Sequence, residues 1–149
     1  MDIKEKIHSL SEDLLKNIER LVVINSQLGT PAEGMPFGPG PAKALDEALS
    51  IARELGFKTV NLDHYCGYAE MGEGDDIVGI AGHLDIVPAG GDWTYDPFAL
   101  TRKGDYVYGR GTTDDKGPVL EALYAMKLLR DSGIRLNKRV RLIMGCNEE

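Results

Sequence analysis

The sequence has 149 residues, 42% apolar and 28% charged, and a net charge of −7 from 17 basic and 24 acidic side chains. That length and balance suit one α/β domain with a sizeable core and exclude a disordered chain. The acidic sign disfavours a nucleic-acid binder, which needs a basic face to meet phosphates.

Ile3, Ile7, Leu10, Leu14, Ile18, Leu21 and Val22 recur at helical spacing between charged residues, which predicts a long amphipathic helix laying one stripe on a core. The charges that run from Met1 to Glu19 leave no apolar stretch for a signal peptide, and no segment approaches the ~20 apolar residues that span a bilayer. The expectation is a soluble cytoplasmic protein without membrane or nucleic-acid partners. A loop rich in glycine and proline follows Gly29-Thr30-Pro31. A second helix then opens at Pro41 and buries Ala44, Leu45, Ala48, Leu49, Ala52 and Leu55, with Gly56 as its stop.

Lys58 to Leu62 and Tyr68 to Met71 read as short strands. Ile77 to Ala81 is a compact apolar run bounded by turns, which predicts a buried central strand. Ala99 to Thr101 and Tyr106 to Tyr108 flank Lys103-Gly104-Asp105 as a hairpin. Lys116 to Arg130 reads as a third helix burying Leu120, Leu123, Met126, Leu128 and Leu129. Arg139 to Cys146 is a last strand, with Val140, Leu142 and Met144 alternating against Arg139, Arg141 and Ile143. Helices interleaved with strands predict a layered α/β domain with a mixed sheet. Cys66 and Cys146 form no CxxC pair, so neither a thiolate zinc site nor a disulfide-forming compartment is implied.

Three segments carry candidate chemistry, each at the end of a predicted strand or the start of a helix, where open α/β sheets place ligand crevices. In Gly82-His83-Leu84-Asp85, a carboxylate two residues beyond an imidazole can receive its second N–H and leave the other nitrogen for a metal. A local surface hydrogen bond is the alternative for that pair. In Gly109-Arg110-Gly111-Thr112-Thr113-Asp114-Asp115-Lys116-Gly117, the glycines allow close approach. Asp115 stands where a phosphate-cradling loop needs glycine, and an acidic helix cap is the alternative. Asn147-Glu148-Glu149 offers neighbouring carboxylates, one able to bind a metal and one to move protons, or simply a solvated acidic end. Taken together, one histidine and several carboxylates suit zinc or manganese. No HExxH is present.

GHLDIVPAG, GRGTTDDKGP and the closing NEE resemble the successive signatures of the aminoacylase, carboxypeptidase G and DapE-type metallohydrolases. PFGPGPAKALDEAL, GDWTYDPF and DDKGP, in that order, resemble the PepV-like dipeptidases of this dinuclear-zinc family. The resemblance implies an α/β/α zinc-peptidase domain with a mixed, largely parallel sheet. Residues 1–149 would form its amino-terminal part, without the lid or dimerisation domain and the remaining catalytic segment. It implies His83, Asp114 and Glu149 as metal ligands, with Asp114 shared by two zinc ions and manganese or cobalt as substitutes. Asp85 orients His83, Glu148 is the general base, and the Asp114–Asp115 peptide is cis. The family spacing to Glu149 selects Asp114 over Asp115.

The implied activity is hydrolysis of dipeptides. A deacylase of N-acyl amino acids or succinyl-diaminopimelate is one alternative, and a non-catalytic binding module on the same scaffold is another. The family's further acidic ligand and late histidine are not in this sequence. The chain is therefore expected to hold metal weakly, to be inert alone, and to self-associate through uncovered strand edges. His8 and His64 are expected to serve on the surface. Trp93, Tyr95 and Phe98 are expected to pack the loop after the histidine motif, and Arg110 to pair with a carboxylate.

Overall fold

The computed structural model describes residues 3–149. Helix α1 spans Ile3–Val22, and its apolar stripe is buried only towards its end, at Ile18, Leu21 and Val22. Ile3 and Ile7 are 60% and 52% exposed, so the first two residues of the predicted stripe stand outside the core, which the stripe meets from Leu14 onward. Helix α2, Pro39–Glu54, starts two residues before the predicted Pro41 because Pro39 already occupies its first turn. Its Ala44, Leu45, Ala48, Leu49 and Ala52 are buried.

Strands β1 (Lys58–Leu62) and β2 (Cys66–Met71) form an antiparallel hairpin. Strand β3 (Ile77–His83) leads into the loop that carries a small separate hairpin, β4 (Thr101–Lys103) and β5 (Tyr106–Tyr108). Helix α3 (Lys116–Asp131) then returns the chain to β6 (Arg139–Gly145). The main sheet runs β1-β2-β6-β3. β6 is antiparallel to β2 and parallel to β3, the latter through a β–α–β crossover.

The α/β class and the mixed sheet agree with the sequence reading. Two features differ from it. One of the three pairings in this sheet is parallel, so the sheet is not largely parallel among the described residues. One core joins Leu21, Leu45, Leu49, Leu120 and Leu123 from the three long helices to Ala69, Leu142 and Met144 of the sheet. Those sheet residues share one face. The opposite face, with Ile143 at 37% exposure, carries no described helix, so two layers of the expected α/β/α arrangement are present among the described residues.

Among the described residues β3 is an edge strand rather than a central one. Ile77 and Val78 are 43% and 47% exposed. On α3, Leu120, Leu123 and Met126 are buried as predicted, whereas Leu129 is exposed. The parallel β3–β6 pairing is the feature that matters for chemistry. It brings His83 opposite Gly145, so the residues leaving both strands emerge side by side at one end of the sheet.

Candidate metal centre

β3 ends at His83, and Leu84 N–H continues the pairing by donating to Gly145 O at 2.9 Å. α3 begins at the same end, because a crossover helix runs back against its strands. Its approach is close: a Cβ at Gly82 would lie 2.5 Å from Asp115 Oδ2 and 2.6 Å from Val119 Cγ2, so only glycine fits. The turn ahead of α3 is equally tight. A Cβ at Gly117 would lie 2.0 Å from Thr112 O. Asp115 Oδ2 accepts a hydrogen bond from His83 N–H at 3.1 Å, tying the two elements together. The Asp114–Asp115 peptide is cis.

The structure brings together all five residues singled out from the sequence. His83 is buried, with Nδ1 3.2 Å from Asp85 O and 3.5 Å from Asp85 Oδ1. Its Nε2 faces Asp114 Oδ1 at 3.1 Å and Glu148 Oε2 at 3.8 Å. An Nδ1–H directed at the oxygens of Asp85 leaves Nε2 as the free lone pair, the form a metal needs. His83, Asp114 and Glu149 each offer a ligand atom, and those atoms lie within 4.8 Å of one another. Asp114 and Glu149 are exposed, so the cluster opens to solvent on one side.

Asp85 is the hub. It is 1% exposed, and its Oδ2 accepts the backbone N–H groups of Glu148 at 2.8 Å and Glu149 at 3.0 Å. Its Oδ1 is buried and has no hydrogen-bond partner within normal reach; the nearest donor is the His83 ring. An unpaired buried carboxylate oxygen is costly unless a positive charge stands near it. Burial of the His83 ring works against its protonated form, but the carboxylates of Asp85, Asp114 and Asp115 outweigh that and hold its pKa above the ordinary histidine value. The pocket thus favours positive charge at the imidazole, which a divalent cation would also provide.

Two residues of the site escaped the sequence reading. Asp115 is passed over there as a ligand in favour of Asp114 and given no part in holding the site, yet it pins the His83 backbone. Lys116 is fully buried, donating through Nζ to Leu21 O at 2.9 Å and Ile24 O at 2.7 Å. Burial pushes its pKa down to about 8. The signal was present: Lys116 stands on the same helical stripe as Leu120 and Leu123.

Among the described residues no carboxylate forms an ion pair with Arg110. Its guanidinium donates to Ala89 O at 3.2 Å and stacks 5.1 Å from the Trp93 ring. Trp93 Nε1 donates to Ala89 O at 2.7 Å, and Tyr95 packs on Tyr108, so these rings order the loop after β3. His8 is exposed, and the His64 ring sits 2.9 Å from both Gly34 O and Asp46 Oδ1. Both cysteines are free.

Residues 79–149 match the model of peptidase family M20/M25/M40. The chain is 44% identical over 140 residues to the putative dipeptidase YtjP of Bacillus subtilis, covering 93% of this chain and 30% of that protein. It is 41% identical over 152 residues to the β-Ala-Xaa dipeptidase of Lactobacillus delbrueckii subsp. lactis, covering 100% of this chain and 32% of that protein. Among solved structures, human carnosine dipeptidase 1 superposes with a TM-score of 0.81 at 25% identity, over 97% of this chain and 34% of that one. An M20 family metallo-carboxypeptidase from Sulfolobus solfataricus superposes at 0.75 with 27% identity, over 91% of this chain and 31% of that one. The chain therefore spans about a third of the length of the proteins it matches.

Proposed function

The chain is related to the peptidases of family M20/M25/M40, and on that premise we propose that the whole protein hydrolyses the amide bond of dipeptides with water activated at a two-zinc centre. The observation that carries this reading is the convergence of His83, Asp114 and Glu149 from three distant stretches of chain onto one small volume. Their donor set, one imidazole nitrogen and carboxylate oxygens, fits zinc, with manganese or cobalt as substitutes. In this reading His83, Asp114 and Glu149 would hold the metal. Zinc bound there supplies Lewis acidity, lowering the pKa of a water towards neutrality and polarising the scissile carbonyl.

The chain's own residues do the rest. Asp85 keeps the Nδ1 proton of His83 in place, so that Nε2 stays available as a ligand. Through its Oδ2 it also fixes the backbone from which Glu148 and Glu149 project. Glu148 takes the proton of the attacking water and delivers it to the leaving amine. Its carboxylate is exposed yet lies within 3.8 Å of His83 Nε2, so it can swing over the reacting atoms without leaving its anchor.

The dipeptidase names of the relatives favour dipeptides over N-acyl amino acids or succinyl-diaminopimelate. Cytoplasmic residence belongs to the same proposal; among the described residues no helix is long and apolar enough to cross a membrane. The test is Glu148→Gln in the whole protein, assayed with zinc or manganese on dipeptides and on acylated amino acids. The expected result is dipeptidase activity that falls about 10²–10⁴-fold in kcat at unchanged metal content. Unaltered turnover in the variant would remove Glu148 as the base. Turnover of acylated amino acids alone would make the protein a deacylase, and no turnover of any substrate would leave a binding module.

A further inference from the structure

The mechanism makes no use of Lys116, although it is the largest fully buried side chain of the molecule. A lysine with no exposed surface normally has an acidic partner, since an unpaired charge in the interior is expensive. Here both bonds of the ammonium go to carbonyls, those of Leu21 and Ile24, where α1 ends. The last carbonyls of a helix lack intrahelical partners and carry the negative end of its dipole, so they can stabilise a cation without a carboxylate. The stem of the side chain is held too: a Cβ on Gly111 would stand 2.9 Å from Lys116 Cδ.

The same exit segment of α1 has a second set of ties. Ser26, also fully buried, donates through Oγ to Leu84 O at 2.6 Å, and its own carbonyl accepts Ile86 N–H at 3.3 Å. These bonds bracket Asp85. Leu21 to Ser26 is thus bonded on one side to the turn carrying His83 and Asp85, and on the other to the residue two places after Asp114. We propose that Lys116 is a positioning residue of the metal centre: it ties the Asp114 turn to the post that Ser26 ties to the His83–Asp85 turn, and so sets the separation of Asp114 from His83. This rests on the metal reading above. The alternative is a lysine that caps α1 and contributes only to global stability.

Lys116→Met keeps the length of the side chain and removes the donors. Two readouts separate positioning from bulk stability. The first, which needs no metal, is amide exchange at His83, whose N–H is held by Asp115, compared with Leu142 in the middle of the sheet. Positioning requires exchange at His83 to accelerate at least about tenfold more than at Leu142; equal acceleration at both overturns the proposal. The second is cobalt titration followed by absorbance, in which the dissociation constant is expected to rise about 10–100-fold, as when outer partners of metal ligands are lost. An unchanged constant overturns the proposal.

Should Lys116→Met fail to melt cooperatively, the unmodified chain still decides. Coupling between two sites is reciprocal, so saturation with zinc must slow proton exchange at the Lys116 ammonium, observed by nitrogen-15 NMR, and a rate indifferent to bound zinc overturns the tie. Absence of cobalt or zinc uptake by the unmodified whole protein would sink the metal reading instead, and the comparison of His83 with Leu142 would then decide the role of Lys116.

Discussion

At the scale of single residues, Asp85 carries more of the site than the orienting role proposed for it suggests. One oxygen receives two backbone N–H groups, and the other stands 3.5 Å from the imidazole. Asp85→Ala therefore orphans two donors and leaves the ring held at Nδ1 by the residue 85 carbonyl alone, while opening a void at a position only 1% exposed. Leaving buried donors unpaired costs about 1–3 kcal/mol, and losing the partner of a ligating histidine costs about 10–100-fold in metal affinity. The expected outcome is a lower melting temperature in calorimetry together with weakened zinc binding in chelator competition. A variant that loses only stability would show that the orientation of His83 does not depend on Asp85. The sequence exposed this pair through its spacing alone. It could not reveal that the Asp85 carboxylate also serves Glu148 and Glu149, because that depends on the register of two strands far apart in sequence.

At the scale of elements, α1 and α3 are joined by a buried polar bridge. Tyr124 Oη donates to Asp13 Oδ2 at 2.6 Å and accepts from Asn17 Nδ2 at 2.6 Å. Burial first, and the bond to Asp13 second, raise the pKa of this phenol above its usual value of 10.0. An unfolded chain ionises Tyr124 near that usual value while the folded chain keeps it protonated. The folded state therefore binds more protons, and its stability falls as pH rises beyond about 10. Urea melts between pH 9 and 11 should show a steeper loss for the unmodified chain than for Tyr124→Phe; parallel slopes would refute the shift.

The hydrophobic pattern located these helices and strands because periodicity reports which face is apolar. It did not report what covers that face. Ile77 to Ala81 reads as a central strand by composition and lies at a sheet edge, and Ile3 and Ile7 continue a stripe whose buried part starts later. Lys116 escaped for the opposite reason: a charge at a core position is read as surface unless its acceptors are known, and those acceptors are backbone atoms some 90 residues away in sequence.

At the scale of the molecule, the outer edge of β3 is paired with no strand among the described residues. Its strand carries exposed Ile77 and Val78, and next to them a Cβ at Gly79 would meet open space. Such an edge offers unpaired backbone groups to a second copy. The apparent mass of the chain in light scattering should rise with concentration, and it should rise further with salt that screens the net charge of −7. Gly79→Glu, whose Cβ would meet open space, should suppress the rise. Equal masses for both chains at every concentration would clear the edge of this role.

The bond from Glu148 to Asp85 spans 63 positions of sequence, and it exists only once β3 and β6 lie side by side. Between those strands the chain must first lay down a hairpin and a helix, meeting the entropy of that closure before any reward arrives. In refolding, helical ellipticity should therefore return before the ability to colour cobalt does. Simultaneous recovery in stopped-flow would mean that this corner is already assembled in the earliest compact species.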